Sequence, residues 1–249
     1  PLFLKTLLKP LLDARADVAI GFGKNELLDR ELDFSPTSGQ FSILDRREIL
    51  LRYYRIAVPK QSHPIIVSPT CSLFSATDIQ PWVAGVRDYC QQTQLRREIM
   101  WQSAIGPDLM LYLSSFSPDH FSVALTEKWT AQFSIHPESI SIGSDPCRLQ
   151  IGYWLARTWY IEAYNNREKT SFSAQLFGPH LLRGLVIILR CVWSTNCHRY
   201  FFRFFGELLI MTRFAWQNSF FISGMGMVFI EGGHIVGQRL FKLLRKNSK

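Results

Sequence analysis

The sequence predicts an α+β fold, with helices in the N-terminal region, an antiparallel β-meander in the middle and apolar or amphipathic helices in the C-terminal region. Apolar residues recur at helical spacing before residue 108 and after residue 178, and they alternate with polar residues in between. The chain has 249 residues, of which 47% are hydrophobic and 19% are charged. This composition is typical of a chain that buries a core and excludes a disordered one.

We therefore divide the chain into three regions. Residues 1–108 are predicted to be mainly helical, and residues 109–177 to form a β-meander packed on them. Residues 178–249 are predicted to be a basic, aromatic helical region that binds a membrane or a partner. The second boundary follows from Gly178 and Pro179, since both residue types interrupt regular structure.

The first 60 residues are predicted to be helical. Six leucines lie within the first 12 residues, and Pro10 is expected to kink or end the helix there, because proline lacks an amide donor. Residues 25–40 are acidic and then rich in Ser, Pro and Gly, so we expect a loop.

Two further helices are predicted before residue 108. Ser42 followed by Asp45 resembles a capping box, which predicts a helix over 43–56. The next helix is predicted to begin at residue 77 or 78 and to end near residue 105. Pro81 is tolerated there, because proline in the first turn of a helix removes no hydrogen bond.

The middle region changes to a period of two. Over residues 121–135 the odd positions are apolar except at Glu127, and the even positions are polar except at Ala124, which predicts one long strand or two joined strands. Residues 149–164 are rich in Tyr, Trp and Ile, and residues 172–176 alternate again, so both are predicted strands. We interpret the aromatic side chains of this meander as core packing.

Beyond Gly178 the helical period returns over 181–193 and 199–217. The polar residues of the second segment share a stripe of about one third of the helix circumference. They are Arg199, Arg203, Gly206, Glu207, Arg213 and Gln217. Because the remaining two thirds are apolar, neighbours are expected to cover most of this helix.

Two more apolar segments follow. Residues 214–230 carry no charge over 17 positions, which makes them a candidate membrane span, although 17 helical residues are short for a bilayer core of about 30 Å. Ser219, Ser223 and Gly226 recur at helical spacing and predict a close helix contact. Residues 235–246 predict a cationic amphipathic helix, which is typical of helices that lie on anionic lipid.

The basic excess belongs entirely to the last 69 residues. Residues 1–180 contain equal numbers of basic and acidic side chains, whereas residues 181–249 contain ten basic and two acidic ones, which accounts for the net charge of +8. Basic tails that bind nucleic acid are usually polar between their charges, but this region is aromatic and aliphatic. The pattern favours a membrane or protein partner over nucleic acid.

The sequence contains no recognisable catalytic motif, so no catalytic residue, cofactor or metal is predicted. Its five cysteines form no CxxC pair, which predicts neither a disulfide framework nor a zinc site, and their odd number fits a reducing or organellar compartment. Cys191, Cys197 and His198 come closest to a metal cluster, and we interpret the cysteines as small buried apolar residues. Glu127 and Arg157 interrupt the apolar faces of predicted strands and are expected to form an ion pair.

These observations predict a non-catalytic accessory subunit of a large membrane complex in a mitochondrion, anchored at the inner membrane through residues 178–249. The expected partners are other subunits of the complex and anionic membrane lipids. The predicted contact residues are Arg183, Arg190, Arg199, Phe201, Phe202, Arg203, Phe205, Arg213, Trp216, Phe220, Phe221, Arg239, Phe241, Lys242, Arg245 and Lys246.

Two alternatives remain open. The first is an organellar ribosomal or RNA-associated protein, because arginines bind phosphates and aromatic side chains stack on bases. The second is a carrier or enzyme that holds a lipid-like ligand inside a barrel formed by the predicted meander.

Overall fold

A computed structural model describes the chain in segments, and the structural statements below refer to these residues. The segments are 2–13, 16–25, 41–45, 51, 54, 72–74, 79–103, 122–133, 145–168, 171–230 and 232–233. The chain divides into two compact units. Unit 1 comprises Pro1–Ile49 and Pro64–Ala156, and unit 2 comprises Leu50–His63 and Arg157–Lys249. The three-region division of the sequence stays a prediction.

The predicted α+β class is confirmed, because the described segments contain both helices and a mixed four-stranded sheet. The strands are β1 (Val18–Asn25), β2 (Phe41–Asp45), β3 (Ser72–Phe74) and β4 (Ser122–Phe133). The helices are α1 (Leu2–Asp13), α2 (Ile79–Gln91), α3 (Gln94–Arg96), α4 (Pro146–Glu168), α5 (Ser171–Trp193), α6 (Phe201–Gln217) and α7 (Phe221–Ile230). A π-helix over Arg97–Trp101 follows α3, and a 3-10 turn over His198–Tyr200 precedes α6.

The sheet is not the predicted antiparallel meander over 109–177. Its strand order is β2-β4-β1-β3, and its central pair, β1 and β4, is parallel, with Val18 opposite Val123. The outer pairs, β1 with β3 and β2 with β4, are antiparallel. β4 itself confirms the strand predicted from the alternation over 121–135. Its partners come from distant parts of the chain, and the local period of one strand carries no information about which strand pairs with it.

The helical prediction for the first 60 residues holds for α1 and is wrong for β1 and β2. Val18, Ala19 and Ile20 of β1 are buried in the centre of the sheet, where a strand has no polar face to show alternation. The capping-box pattern at Ser42 lies within β2, where pairing with β4 overrides the local helical preference.

The helix predicted to end near residue 105 is interrupted. α2 ends at Gln91, and Thr93 then caps α3 by accepting a hydrogen bond from the Arg96 amide through Oγ1 at 3.2 Å. A threonine at this position supplies an acceptor to an amide that would otherwise lack one. The side chain of Arg96 is buried and its guanidinium lies 4.0 Å from the centroid of the Tyr89 ring.

The segments 149–164 and 172–176, which were predicted as strands, are helical. Asp145 precedes α4, and its Oδ1 accepts a hydrogen bond from the Cys147 amide at 2.9 Å. Pro146 then occupies the first turn of the helix. The buried residues of α4 follow helical spacing, although its aromatic and β-branched composition is typical of strands. They include Cys147, Ile151, Trp154, Leu155, Thr158 and Ile161.

The core of unit 1 includes a contact between α1 and the sheet. Leu7 of α1 is buried in a cluster with Ala16, Ala19 and Ala124, and Leu11 packs at the edge of this cluster. The small alanine side chains let the helix approach the sheet closely. The two parallel strands are joined at their start, because the Asp17 carboxylate accepts a hydrogen bond from the Ser122 amide at 2.9 Å.

In unit 2, α5 crosses α7 at two glycines. A Cβ built on Gly178 would lie 2.5 Å from the Met227 Cβ and 2.7 Å from the Gly224 carbonyl oxygen. A Cβ built on Gly224 would lie 2.4 Å from Cδ1 of the buried Phe177 ring. The predicted close contact through Ser219, Ser223 and Gly226 is therefore wrong in its residues, because a Cβ on Gly226 would meet nothing within 4 Å.

Gly178 and Pro179, which were expected to interrupt regular structure, lie inside a helix, since α5 continues through Pro179. Proline in a helix removes one backbone hydrogen bond, and this cost is usually decisive in an exposed helix. Here the residues on both sides of Pro179 are buried from Leu176 through Leu181. Tertiary packing therefore holds this segment in the helical conformation.

Residues 214–230 do not form one continuous helix, because α6 ends at Gln217. The Phe220 amide donates to the Ala215 carbonyl and the Ser219 amide donates to the Trp216 carbonyl, both at 3.1 Å. These are the two bonds of a Schellman motif, and Ser219 occupies its left-handed position with φ of 62°. Edge-to-face packing of the Phe214 and Phe220 rings, whose centroids are 6.0 Å apart, supports the turn.

We expect Ser219→Gly to stabilise the protein by about 0.5–1 kcal/mol, because a non-glycine residue pays a steric cost at positive φ that glycine does not. Ser219 is exposed and no side-chain hydrogen bond involving it supports the turn. Urea denaturation measures the change in the free energy of unfolding. Ser219→Ala is the control, which keeps the steric cost and should leave stability close to that of the wild type. A destabilised Gly variant would contradict the left-handed turn.

Candidate docking surface

Three helices of unit 2 expose large apolar side chains. The first is α5, whose N-terminal half is buried on nearly all sides, whereas its C-terminal half exposes one face. The exposed residues are Leu185, Val186, Leu189, Val192 and Trp193, and they share this face at helical spacing. Trp193 is the most exposed of them, at 79%. Isolated exposed leucines are normal in soluble proteins, but a face of five large apolar residues indicates a contact site.

The second helix, α6, has apolar residues on two faces, of which one is buried and the other is exposed. One face is buried and consists of Phe204, Glu207, Leu208, Met211 and Ala215. The opposite face is exposed and carries Phe202, Phe205, Leu209 and Trp216, which we call the α6 stripe. Phe202 is 83% exposed and Trp216 is 66% exposed. The stripe residues are three, four and seven positions apart, the spacing that places them on one side of a helix.

The third helix, α7, exposes Ile222, Phe229 and Ile230. It is joined to the α6 stripe by an aromatic contact, because the centroids of the Trp216 and Phe221 rings are 5.6 Å apart. The α6 stripe therefore contacts the first residue of α7 at the turn between the two helices.

The exposed charges of this part of the chain are positive. Arg190, Arg199 and Arg213 are exposed, and Glu207, which is the single acidic residue between 181 and 230, is 1% exposed. The guanidinium of Arg199 lies 4.8 Å from the centroid of the buried Tyr200 ring, and that of Arg203 lies 5.8 Å from the same centroid. These cation–π contacts hold two arginines beside the start of α6.

The predicted contact residues differ in their placement. Phe202, Phe205, Trp216, Arg190, Arg199 and Arg213 are exposed, whereas Phe201, Phe221, Arg183 and Arg203 are half-buried. Phe220 was named as a contact residue, but it is only 4% exposed. Its ring packs against Phe177 with centroids 5.5 Å apart, so it belongs to the core. Arg239, Phe241, Lys242, Arg245 and Lys246 lie outside the described residues, as does the helix predicted over 235–246.

Sequence reasoning missed much of the exposed surface, including the apolar face of α5, Leu209 of the α6 stripe and the exposed side of α7. Periodicity identifies the polar stripe of a helix and predicts that neighbours cover the remainder, but it does not say whether those neighbours belong to the same chain. In α6, Glu207 of the polar stripe is buried, and the α6 stripe is left exposed by this chain.

A buried polar cluster lies in unit 2, away from any motif that the sequence showed. His180 of α5 is buried, and its Nε2 lies 2.7 Å from Oγ1 of Thr158 on α4. The Tyr54 ring meets the imidazole edge-to-face with centroids 5.8 Å apart, and its hydroxyl donates to the Arg157 carbonyl at 2.7 Å. Burial holds the pKa of His180 well below its usual 6.5, and the charges of Arg157 and Arg183 lower it further.

The prediction of an ion pair between Glu127 and Arg157 assumed that both residues lie on strands that face each other. Arg157 instead lies on helix α4. The side chain of Glu127 is not among those that the structure describes. Among its interactions, the Arg157 carbonyl oxygen accepts a hydrogen bond from the Tyr54 hydroxyl, and its positive charge lowers the pKa of His180.

The cysteines differ from the sequence expectation. Cys147 and Cys197 each take part in a disulfide, whereas Cys90 and Cys191 are free and buried. Burial raises the pKa of Cys90 to about 11, against the opposing charge of Arg96, so its thiol is inert near neutral pH. The His198 Nδ1 lies 3.1 Å from the Cys191 carbonyl oxygen. Within the described segments, no three His, Cys, Asp or Glu side chains are grouped so that they could bind a metal.

One described helix segment, Ser173–Trp193, has the length and hydropathy needed to cross a bilayer, and half of its most apolar window is buried inside the chain. His180 and Gly178 lie in the buried half, where they contact Thr158 and α7. This packing is typical of a core helix of a globular unit. The exposed half then presents its apolar face at the end of a helix that is held in place by the core.

Comparison with known proteins identifies no relative: no family model, no curated protein and no solved structure matches this chain.

Proposed function

We propose that this protein is a non-catalytic accessory subunit of a large mitochondrial membrane complex, held at the inner membrane through its C-terminal helices. The observation that supports this most is the exposure of the α6 stripe together with the apolar faces of α5 and α7. These residues belong to helices whose other faces form the core of unit 2, so unfolding of the unit is not needed to present them.

The free energy of apolar burial explains why such a surface calls for a partner. A large apolar side chain that is fully transferred from water contributes about 1.5–3 kcal/mol. The three helices together expose many such side chains on ordered elements, and a monomer in water rarely exposes a patch of this kind. Neighbouring subunits and lipid are the two environments that would cover it.

The charge and the cysteines support the same proposal. The net positive charge of the chain comes entirely from residues 181–249, which include the helices with the apolar surface. The exposed charges of these helices suit an anionic lipid headgroup region. The disulfide-bonded state of Cys147 and Cys197 favours a compartment other than the reducing cytosol.

Carbonate extraction of native membranes, followed by native gel electrophoresis of detergent extracts, tests the proposal. We expect the chain to stay with the membrane pellet and to migrate with a complex much larger than its 28.8 kDa. A double variant, Phe202→Asn with Leu209→Asn, should release the chain, because both positions are exposed and the change leaves the core intact. Leu12→Asn is the matched control, since Leu12 is an exposed apolar residue of unit 1.

Release of the wild-type chain together with soluble matrix proteins, and a monomer-sized native band, would contradict the proposal. Co-sedimentation with ribosomes that ribonuclease abolishes would favour the RNA-associated alternative instead. A lipid that copurifies with the chain and is retained by the double variant would favour the ligand carrier.

A further inference from the structure

We propose that α6 and α7 lie in the plane of one leaflet of an anionic phospholipid bilayer, with the α6 stripe, Ile222 and Phe229 among the upper acyl chains. This proposal rests on the proposed function and specifies how the C-terminal helices attach: they enter one side of the membrane and do not cross it.

The geometry of the two helices excludes a continuous span over 214–230. α6 ends at Gln217 in a Schellman motif, and α7 has ten residues. Ten residues of α-helix extend about 15 Å, which is half of a bilayer core of about 30 Å. α6 is longer, but it carries Arg203 and Arg213, and one of its faces is occupied by the core of unit 2.

The exposed face of α6 has the composition of an interfacial helix. Its α6 stripe is apolar and aromatic, and Arg213 is exposed on the same side of the helix, next to Leu209 and Trp216 in the helical projection. Tryptophan is enriched at the boundary between headgroups and acyl chains, because its ring is apolar and its indole N–H requires a hydrogen-bond partner. Trp216 therefore marks the expected depth of insertion.

Charge complementarity selects anionic lipid as the occupant. Between residues 181 and 230 the exposed charged side chains are arginines, and Glu207 faces the core. A partner helix of another protein would require an acidic or neutral surface of matching shape, whereas anionic headgroups attract these arginines without a fixed register. The half-exposed helix α5 adds Arg190 to the same positive field.

The test uses the purified full-length chain and sealed vesicles, either of phosphatidylcholine alone or with 30% phosphatidylglycerol. We expect flotation with the anionic vesicles, with at least tenfold weaker binding to phosphatidylcholine. Phe202→Asn with Leu209→Asn should reduce binding to anionic vesicles at least tenfold, and Arg213→Gln severalfold. Leu12→Asn should bind as the wild type does, which separates the effect of the stripe from that of any lost leucine.

Trp216 reports the depth directly. The fluorescence of Trp216 is the component that is lost in Trp216→Phe. Lipids brominated close to the headgroup should quench this component more strongly than lipids brominated near the chain ends do. Equal or stronger quenching by the deep bromines would indicate a crossing helix and overturn the in-plane arrangement.

Failure of this inference is distinguishable from failure of the proposed function. A chain that binds neither vesicle type, yet resists carbonate in native membranes and migrates in a large complex, would show that a protein partner covers the stripe. That result would overturn the lipid proposal and keep the accessory-subunit proposal. A chain that binds neither vesicle type and is also released by carbonate would overturn both.

Discussion

Gly178→Ala and Gly224→Ala should each destabilise the protein by about 2–3 kcal/mol, because both glycines lie where α5 crosses α7. The added methyl of Gly178→Ala would meet the Gly224 carbonyl oxygen and the Met227 Cβ, which are backbone or near-backbone atoms that move only with the helix. That of Gly224→Ala would meet the ring of Phe177, which is fully buried and contacts Phe220 and Phe221. Chemical denaturation measures the free energy of unfolding.

Gly226→Ala and Gly206→Ala are the matched controls. A Cβ at either position would meet nothing within 4 Å, so alanine adds helix propensity and no clash. We expect both controls to be neutral or more stable by up to about 1 kcal/mol. If Gly224→Ala were as stable as Gly226→Ala, the close crossing of α5 and α7 would be wrong.

Acidification from pH 7.5 to pH 5 should lower the free energy of unfolding through His180. Its folded-state pKa lies well below 6.5, because the imidazole is buried and because Arg157 and Arg183 disfavour a further positive charge. Below about pH 6.5 the unfolded chain takes up a proton at this histidine that the folded chain does not, so stability falls as pH falls. Above that pH both states are neutral and the contribution is constant.

The slope that one such group adds reaches about 1.4 kcal/mol per pH unit below its unfolded pKa. The measurement is denaturant unfolding at several pH values for the wild type and for His180→Gln, which keeps a polar group beside Thr158. Subtracting the His180→Gln curve from the wild-type curve removes the contribution of the other five histidines to the pH dependence of the free energy of unfolding. A difference between the curves that is independent of pH would show that His180 titrates normally in the folded state. The His180 imidazole resonances followed by NMR during an acid titration provide a second test on the folded protein itself.

The sequence predicted the elements in which apolar residues repeat at a regular spacing. α2, α6 and the second half of α5 have apolar residues at helical spacing. β4 was recognised from its alternation, although its residues 123–126 are all buried. The error at α4 has a different origin. Its tyrosines, tryptophans and isoleucines suggested a strand, although Asp145 and Pro146 at its start and the spacing of its buried residues indicate a helix.

The exposed apolar surface was predicted only in part. Composition identified the C-terminal region as apolar and basic, and it named Phe202, Phe205 and Trp216, which the structure exposes. It also named Phe220, which is buried by Phe177 and Phe214. Hydrophobicity alone cannot distinguish an aromatic ring that fills the core from one that faces outward, because both are equally apolar.

From the amino acids alone it was determined that this is an α+β chain whose positive charge is concentrated in an apolar, aromatic C-terminal region. These properties are additive over residues, so they need no knowledge of which residues meet. Tertiary structure decided the partners of β4, the burial of Glu207, the glycines at which α5 and α7 cross, and the turn at Ser219 that divides the uncharged run. Each of these depends on contacts between positions far apart in the chain or on a backbone angle that serine rarely adopts, and local patterns of hydrophobicity do not encode either.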